Sequence, residues 1–576
     1  MNIISIRQPC ITAVIAITII KLFLIPSYRS TDFDVHRNWL AITKHLPLSQ
    51  WYFDNNNGTT VHTLDYPPSF SFFEYFLANN FITTSMMHHG YLDERCLALL
   101  GDHDNDVAID CVVFQRCTVI VADIIFLLGA MALSRSLIWP DTAKNTAQDY
   151  ASSIARSPRR GTNYSSSRID IDIDGYMDIQ KQCFILVVCN SGLILLDHIH
   201  FQYNGMLLGV LMGSLACLMQ GIKVDTPQRP TPTVAKLELI GSVLFTLLLT
   251  LKHLYLTLGP IYFFYLLHKF CFRINDEGQK KFDPKRLVVL GTAVLVTLML
   301  PFLPFFMNND NKEQLLVQMI SRLFPFQRGL CHDYWAGNIW ALYLFAEKVC
   351  NLLTRKHPLL SKLFLSPFPE IRPIHTATCL LIGLVPAIIC AWKAASVSHT
   401  ILRRNQCQRQ KIFLCCVVYS SMTSFMLAYH VHEKAIMTAI IPMAFLAFTC
   451  EDCARLFLRM STVGHFGLMP LLYEPAELFV KVLLNGCYLA LGIWILEGVH
   501  GKQRKANLLQ GCDQVGLAMM VFLVAYAEGF HTILFGADTL EFLPLMMISF
   551  FCAIGMVYCW IQSGIIMVKS LDFCIE

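Results

Sequence analysis

A pair of carboxylates, Asp32 and Asp34, directly follows the first apolar run of the chain. A carboxylate that loses part of its hydration beside a membrane surface has its pKa raised toward neutrality, and it can then act as general base on a sugar hydroxyl. The alternative is a structural role, because Thr31 or Asp32 could cap an amphipathic helix over 35–45. The same polar segment continues with His36, Arg37, Asp65 and Tyr66.

A second polar cluster occupies residues 195–204, at the end of a later apolar run. Its polar members are Asp197, His198, His200, Gln202, Tyr203 and Asn204. Polar groups at this density are costly at the end of a membrane helix and are usually functional, here for sugar hydroxyls, phosphate or protons. An interfacial anchor is the structural alternative.

A third cluster consists of His430, His432, Glu433 and Lys434, between two further apolar runs. Two histidines in this spacing could ligate a metal, but no third ligand of defined position accompanies them. Phosphate binding by His432 and Lys434 is an equally natural interpretation. The spacing therefore predicts no metal site.

Two arginines, Arg322 and Arg328, are six residues apart among aromatic residues and a proline. Arginine binds phosphate through two parallel hydrogen bonds, and aromatic rings provide surface for a polyprenyl chain or a sugar. Snorkelling of the side chains to the membrane interface is the alternative, and it explains one arginine more easily than two.

The composition indicates what must position these groups. Of 576 residues, 55% are hydrophobic and only 15% are charged, which is too little charge for a soluble surface. Apolar runs near the length of about 20 residues that crosses a bilayer recur along the whole chain. The predicted fold is all-α, a polytopic transmembrane bundle of about 14 spans with short amphipathic helices in its loops. The net charge of +4 is small, and Lys and Arg fall between apolar spans rather than on one face, so we expect no nucleic acid partner; the apolar spans predict contact with membrane lipid.

The predicted spans are 8–27, 115–137, 182–200, 205–221, 237–254, 257–270, 287–306, 374–394, 411–430, 435–450, 463–479, 480–498, 514–534 and 541–567.

Positive charge predicts the orientation, because Lys and Arg are retained on the cytosolic side. The basic segments are 138–181, 266–286, 395–411 and 499–506. All four are cytosolic if the amino terminus is cytosolic and the amphipathic segment 336–353 does not cross. The segments 28–114, 201–204, 307–373 and 431–434 then share the opposite face.

Seven strings in the chain resemble the glucosyltransferase family of lipid-linked oligosaccharide assembly, over about residues 28 to 480. They are TDFDVHRNWLAIT at 31–43, WY at 51–52, LDYPP at 64–68, DHIHFQYN at 197–204, KHLY at 252–255, RLFPFQRG at 322–329 and HVHEK at 430–434. The strings at 32–39 and 334–343 favour the activity that adds the second glucose over the sister activity that adds the first.

The resemblance implies a GT-C fold in the membrane of the endoplasmic reticulum and an active site on its luminal side. It implies dolichyl phosphate glucose as donor, a dolichyl-pyrophosphate oligosaccharide as acceptor, a single inverting displacement and no metal or other cofactor. Asp32 occupies the position of the family's base, with Asp34 second. The residues expected to bind substrate are His36, Arg37, Asp65, Tyr66, Asp197, His198, His200, Gln202, Tyr203, Lys252, His253, Arg322, Arg328, His430, His432, Glu433 and Lys434. We expect a monomer.

Three regions follow from this reading. Residues 1–137 form a first membrane module whose luminal loop, 28–114, is catalytic. Residues 138–181 form a cytosolic linker without fixed structure. Residues 182–576 form the rest of the bundle, with a long luminal loop at 307–373.

A transporter or proton relay is the alternative of a different class. Asp197, Lys252, His253 and His430 are ionisable groups in or beside apolar runs, as transport pathways require. Transporters commonly show two halves with matching broken spans, and the sequence has no such symmetry.

Overall fold

The computed structural model of the chain describes residues 3–53, 62–99, 107–139, 173–224, 232–274, 280–307, 311–326, 329–331, 336–356, 368–396, 403–500, 508–536 and 538–572. These residues are almost entirely helical, as predicted. A short antiparallel hairpin pairs β1 (Phe272–Ile274) with β2 (Lys280–Phe282).

The principal helices, in chain order, are α1 Ile3–Phe23, α2 Thr31–His45, α3 Pro68–Asn79, α4 Phe81–His88, α5 Ile109–Ser136, α6 Ile173–Val188, α7 Ser191–Leu193 continued by a π-helix Ile194–Phe201, α8 Asn204–Val224, α9 Pro232–Leu251, α10 Gly259–Cys271, α11 Pro284–Met299, α12 Leu303–Met307, α13 Lys312–Leu323, α14 Ile339–Lys356, α15 Pro373–Ser396, α16 Arg403–Leu427, α17 Met437–Leu446, α18 Glu451–Leu468, α19 Leu478–His500, α20 Gly511–Ala525 continued by a π-helix Tyr526–Phe530, α21 His531–Phe535 and α22 Leu543–Asp572.

Nine helices among the described residues are long and apolar enough to cross a membrane. They correspond to nine of the fourteen predicted spans, namely those at 115–137, 182–200, 205–221, 237–254, 374–394, 411–430, 480–498, 514–534 and 541–567. The chain is therefore a polytopic membrane protein.

The other five predicted spans are shorter or misplaced in the described residues. The first contains an apolar stretch of only Gln8–Phe23. The span predicted at 287–306 is divided into α11 and α12, because Pro301 interrupts the helical hydrogen bonds. The spans predicted at 257–270 and 435–450 are the short helices α10 and α17.

The prediction of a span at 463–479 is wrong. The helix there is α18, which begins at Glu451 and ends at Leu468. Pro470 and Pro475 follow within short 3-10 turns, where the chain reverses before α19. The first turns of α18 carry several charged residues. A prediction based on apolar runs therefore places the start of this helix too late in the sequence.

The predicted linker also ends earlier than expected. Residues 140–172 lie outside the described part of the chain, but α6 begins at Ile173, so the prediction is wrong for 173–181. The loops at 28–114 and 307–373 do contain the short helices that were predicted, α2 to α4 in the first and α13 and α14 in the second. A disulfide between Cys96 and Cys111 joins the end of the first loop to α5.

Helices α5 and α8 pack with their backbones in near contact. A Cβ at Gly129 would lie 2.2 Å from the Gly209 carbonyl oxygen, and one at Gly209 would lie 2.5 Å from the Ile125 carbonyl oxygen. Only glycine permits this approach, which is the usual role of small residues between membrane helices. The contact fixes α5 against the helix that follows the 195–204 cluster.

We predict that Gly129→Ala lowers stability, because the added methyl group meets backbone that cannot move away. Overpacking of this kind costs about 1–3 kcal/mol. The measurement is the thermal unfolding midpoint in detergent. Gly213→Ala is the matched control, because its Cβ would meet only Leu244 Cδ1 at 3.8 Å. Equal midpoints for the two variants would refute the close contact.

Candidate active site

The Asp32 carboxylate is the centre of a polar cluster assembled from three distant parts of the chain. Its Oδ2 accepts a hydrogen bond from Gln202 Nε2 at 2.5 Å and lies 3.3 Å from His200 Nε2. It also forms an ion pair with Lys434 Nζ. The first, second and third polar clusters of the sequence therefore meet at one carboxylate.

The first turn of α2 leaves Asp32 available for these partners. Ser30, and not Thr31 or Asp32, is the N-cap, and its hydroxyl accepts a hydrogen bond from the Phe33 amide. The Ser30 hydroxyl also donates to the His200 carbonyl. The capping interpretation of Asp32 is therefore wrong, and the cap itself joins α2 to the 195–204 segment.

His200 and Gln202 are presented by the π-helix Ile194–Phe201 and by a sharp reversal after it. Phe201 has a φ of 83°, a left-handed conformation that is strained for a bulky residue. π-Helical segments and strained residues are frequent at functional sites. This backbone directs the side chains of His200 and Gln202, which flank buried Phe201, toward the Asp32 carboxylate.

A chain of amide and carboxylate contacts extends the cluster from Gln202. The Asn204 side-chain amide donates to Gln202 Oε1 at 2.8 Å and to Asp197 Oδ1 at 3.0 Å. The Gly205 amide donates to Asp197 Oδ2 at 2.6 Å. Lys252 Nζ donates to Asn204 Oδ1 at 3.3 Å. Asp197 thus positions the reversal, and Lys252 brings a second cation beside it.

Tyr66 and Asp65 reach the cluster through Lys252. Lys252 Nζ lies 4.9 Å from the centre of the Tyr66 ring, a cation–π contact. The carboxylates of Asp65 and Asp32 both interact electrostatically with Lys252. The LDYPP string therefore lies at the same site as Asp32.

The charge state of Asp32 differs from the sequence-based expectation. Burial favours the neutral acid, but the positive charge of Lys434 and hydrogen bonds from His200 and Lys434 outweigh burial and hold the pKa of Asp32 well below its usual range. The expected rise toward neutrality is therefore wrong for this arrangement. Asp32 is an ionised carboxylate with a cation as its partner.

Lys434 and its neighbours are presented by a strained loop after α16. His430 has a φ of 52°, its amide donates to the Leu330 carbonyl, and Cys331 and Val431 form an isolated bridge. Glu433 is buried, and neither carboxylate oxygen has a hydrogen-bond partner among the described residues. Burial raises the pKa of Glu433, although Lys434 opposes the shift.

His198, predicted to bind substrate, points to a different network. Its Nε2 lies 2.9 Å from Asp123 Oδ2, which also pairs with Lys21 Nζ at 2.6 Å. Arg116 donates to the carbonyls of His198 and Tyr28 at 2.6 and 2.9 Å. These groups hold α1, α5 and the π-helix together and do not contact Asp32.

His36 and Tyr203 likewise contact residues that surround the Asp32 cluster, and not Asp32 itself. His36 Nδ1 pairs with buried Glu74 at 2.7 Å, and the Tyr203 hydroxyl lies 2.7 Å from that of Thr118. The His36 ring is enclosed by aromatic residues, namely Trp39, Tyr66, Phe70, Phe201 and Tyr203. This aromatic cluster fixes the position of α2.

The other predicted residues are more loosely placed. Asp34 is partly exposed and pairs with Arg37 at 3.7 Å within α2. The His253 ring contacts Phe324, two residues after Arg322, at 5.2 Å. The His430 and His432 rings lie 5.5 Å apart. Arg328 lies outside the described residues.

Several residues of the site were not predicted from the sequence. They are Tyr28, whose hydroxyl lies 3.1 Å from His200 Nδ1, with Glu74, Arg116 and Asp123. Arg116 and Asp123 are charges inside the long apolar helix α5, and intramembrane charges are functional candidates by default. That signal could have identified both.

No group of three or more His, Cys, Asp or Glu side chains in the described part of the chain could hold a metal ion. The expectation of metal independence stays a prediction. The chemistry that the cluster offers is a carboxylate that can accept a proton, with cations and amides around it to bind phosphate and hydroxyl groups.

The chain is similar to known glycosyltransferases over nearly its whole length. Residues 17–563 match the model of the ALG6, ALG8 glycosyltransferase family. A mouse relative named dolichyl pyrophosphate Glc1Man9GlcNAc2 alpha-1,3-glucosyltransferase is 33% identical over 570 residues, covering 95% of this chain and 93% of the relative. The Arabidopsis thaliana protein of the same name is 34% identical over 567 residues, covering 94% and 95%.

A Drosophila melanogaster protein with the same name, preceded by "Probable", is 32% identical over 548 residues, covering 94% of this chain and 90% of the relative. The helical bundle, in whose described part nine helices are long and apolar, is the GT-C membrane fold of this family. With a family match across most of the chain and relatives above 30% identity, this protein belongs to the ALG6, ALG8 glycosyltransferase family.

Proposed function

We propose that this glycosyltransferase transfers glucose from dolichyl phosphate glucose to the dolichyl-pyrophosphate oligosaccharide that already carries one glucose, forming an alpha-1,3 bond in the lumen of the endoplasmic reticulum. The names of the relatives support the reaction. The observation that carries the mechanism is the ionised Asp32 carboxylate in contact with His200, Gln202 and Lys434.

Asp32 is the proposed base. Its carboxylate takes the proton of the acceptor hydroxyl while that oxygen forms a bond to the anomeric carbon of glucose. The bond from that carbon to the phosphate oxygen breaks at the same time, and dolichyl phosphate leaves with the electron pair. A single displacement of this kind inverts the anomeric centre.

Lys434 and Lys252 are the proposed cations for the phosphate. The leaving phosphate gains negative charge in the transition state, so a nearby cation accelerates turnover more than it strengthens ground-state binding. Lys434 is paired with Asp32 before substrate arrives. A donor phosphate that takes over this lysine would remove the main influence that lowers the pKa of Asp32, making the carboxylate a stronger base.

The disulfide between Cys96 and Cys111 supports a luminal position for the loop that carries Asp32. Disulfides form in the oxidising lumen of the endoplasmic reticulum and are rare in the cytosol. The distribution of Lys and Arg along the sequence is consistent with the same side for this loop.

Reconstitution tests the proposal. The purified chain is reconstituted in liposomes and given dolichyl phosphate glucose with an acceptor that carries either zero or one glucose. The masses of the lipid-linked products are then measured by mass spectrometry. We expect a gain of one hexose on the monoglucosylated acceptor. A gain on the unglucosylated acceptor would instead assign the sister activity, and solute transport without a heavier product would contradict the proposal.

We predict that Asp32→Asn abolishes most turnover, because an amide cannot accept the proton. General-base catalysis contributes about 10²- to 10⁴-fold, and the rate should fall by that order. The measurement is kcat in the reconstituted assay at equal protein amount. Asp34→Asn is the matched control, since among the described residues Asp34 pairs with Arg37 on its own helix and not with the Asp32 cluster, and it should retain the wild-type rate. The opposite result would transfer the role to Asp34.

We predict that Lys434→Met shifts the acidic limb of the pH profile of kcat/KM toward higher pH. In the wild type, Lys434 is the largest influence that opposes burial at Asp32. Without it, burial raises the pKa of Asp32, and the carboxylate becomes protonated, and so inactive as a base, at a higher pH. Lys312→Met, at an exposed lysine of the 307–373 loop, should leave the profile unchanged. An unshifted limb in the Lys434 variant would argue against Asp32 as the titrating group.

We also predict that transfer continues after metal removal, because the proposed mechanism places lysines where other transferases use a divalent cation. The measurement is the initial rate before and after dialysis against EDTA. Loss of activity that magnesium or manganese restores would show that the cations at the site are insufficient.

A further inference from the structure

A polar cavity of about 250 Å³ opens at a second place in the bundle, where the first turns of α18, the start of α20 and the last turns of α22 meet. It is separate from the Asp32 cluster. The Lys411 side chain near the start of α16 contacts Cys450, directly before α18, and Gln408 donates to the Ser570 carbonyl of α22. The cavity therefore lies beside the beginning of α16, on α18 and α22.

The Asp32 cluster lies at the other end of the same helix. Lys434 follows α16 closely, because that helix ends at Leu427. The rise of 1.5 Å per residue between Lys411 and Leu427 separates the two ends by about 24 Å. The charge distribution of the sequence assigns the cavity end to the cytosolic side.

Three cations line the cavity, and they differ in their partners. Arg459 is fixed by Asp513, with contacts of 2.6 and 3.1 Å, and by the Tyr558 hydroxyl at 2.7 Å. Arg455 pairs with Glu451 on its own helix, but its buried Nε has no hydrogen-bond acceptor among the described residues.

Lys569, the third cation, is exposed and makes no ion pair within the part of the chain that is described. Two lining cations, Arg455 and Lys569, therefore have donor capacity to spare. Asp452 is the one carboxylate among the described residues that line the cavity. One wall is apolar, formed by Leu456, Ile565 and Ile566, and Ile565 is 40% exposed toward the surroundings of the bundle.

We propose that this cavity binds the head group of an anionic glycerophospholipid. Arg455 and Lys569 hold its phosphodiester, and an acyl chain lies along Ile565. Basic pockets between membrane helices on the cytosolic side suit such head groups, and charge-assisted bonds to phosphate are strong. Asp452 favours a head group that also carries an ammonium group, which is the charge pattern of phosphatidylserine.

Native mass spectrometry of the full chain tests this inference. The protein in detergent is titrated with phosphatidylserine, phosphatidylglycerol or phosphatidylcholine, and with water-soluble glycerophosphoserine as a competitor. We expect phosphatidylserine to bind most tightly and phosphatidylcholine least. Equal retention of all three lipids, or displacement by glycerophosphoserine at the concentration of the lipid itself, would overturn the assignment to a lipid.

The charge-removing variant combines Arg455→Gln with Lys569→Gln. At about tenfold per 1.4 kcal/mol, and about 1 kcal/mol for each cation near a lipid surface, phosphatidylserine should bind roughly tenfold to thirtyfold more weakly. Lys281→Gln with Lys285→Gln removes two exposed charges elsewhere on the same predicted face and should leave binding unchanged. Equal weakening in both double variants would show only a general surface attraction, and unchanged binding in the first would exclude the site.

Two further measurements separate binding from folding and from catalysis. The thermal midpoint without lipid should match the wild type for both double variants, and so should the rate of glucose transfer. Asp452→Asn keeps every cation and should remove the preference for phosphatidylserine over phosphatidylglycerol while phosphate binding persists. Retention of that preference would contradict the role of Asp452.

Discussion

The ionised Asp32 carboxylate is the constraint on which the rest of the site depends. An ion removed from water costs several kcal/mol unless charged and hydrogen-bonding partners replace its hydration. Its partners come from a π-helix about 170 residues later in the chain and from a loop about 400 residues later. The bundle must bring those segments to within hydrogen-bond distance of one oxygen, and much of the local geometry serves that requirement.

The need to bring distant side chains to Asp32 also accounts for the strained backbone at two positions. Phe201, directly before Gln202, and His430, four residues before Lys434, both adopt left-handed conformations, and Gln202 and Lys434 are residues that reach the carboxylate. Strain of this kind persists only where surrounding contacts fix it. The ion pairs of Asp123 with Lys21 and His198 supply such contacts for the π-helix. The Asp123 carboxylate also limits the space beside Gly205.

In the proposed mechanism, the pairing of Asp32 with Lys434 leaves the resting site with a weak base and a neutralised cation. A donor phosphate that competes for the lysine would turn the cation toward the leaving group and remove the charge that stabilises the ionised carboxylate. The resting site is thus balanced in charge, which lowers the cost of keeping it folded without substrate. The separate cavity near Lys569 differs in that the buried Arg455 Nε has no hydrogen-bond acceptor among the described residues.

The sequence by itself determined the all-helical membrane fold, nine of its long spans, the residues that meet at Asp32 and the family, because apolar run length and dense polar motifs are local properties. It did not determine the broken helices at Pro301 and Pro470, since short apolar runs fit a buried helix as well as a span. Only the tertiary structure decided that Ser30 caps α2, that His198 turns to Asp123 while His200 turns to Asp32, and that the pKa of Asp32 falls. The helix cap, the partners of the two histidines and the pKa of Asp32 all depend on which charge or carbonyl from a distant part of the chain lies within a few ångströms. The spacing of residues along the sequence does not contain that information.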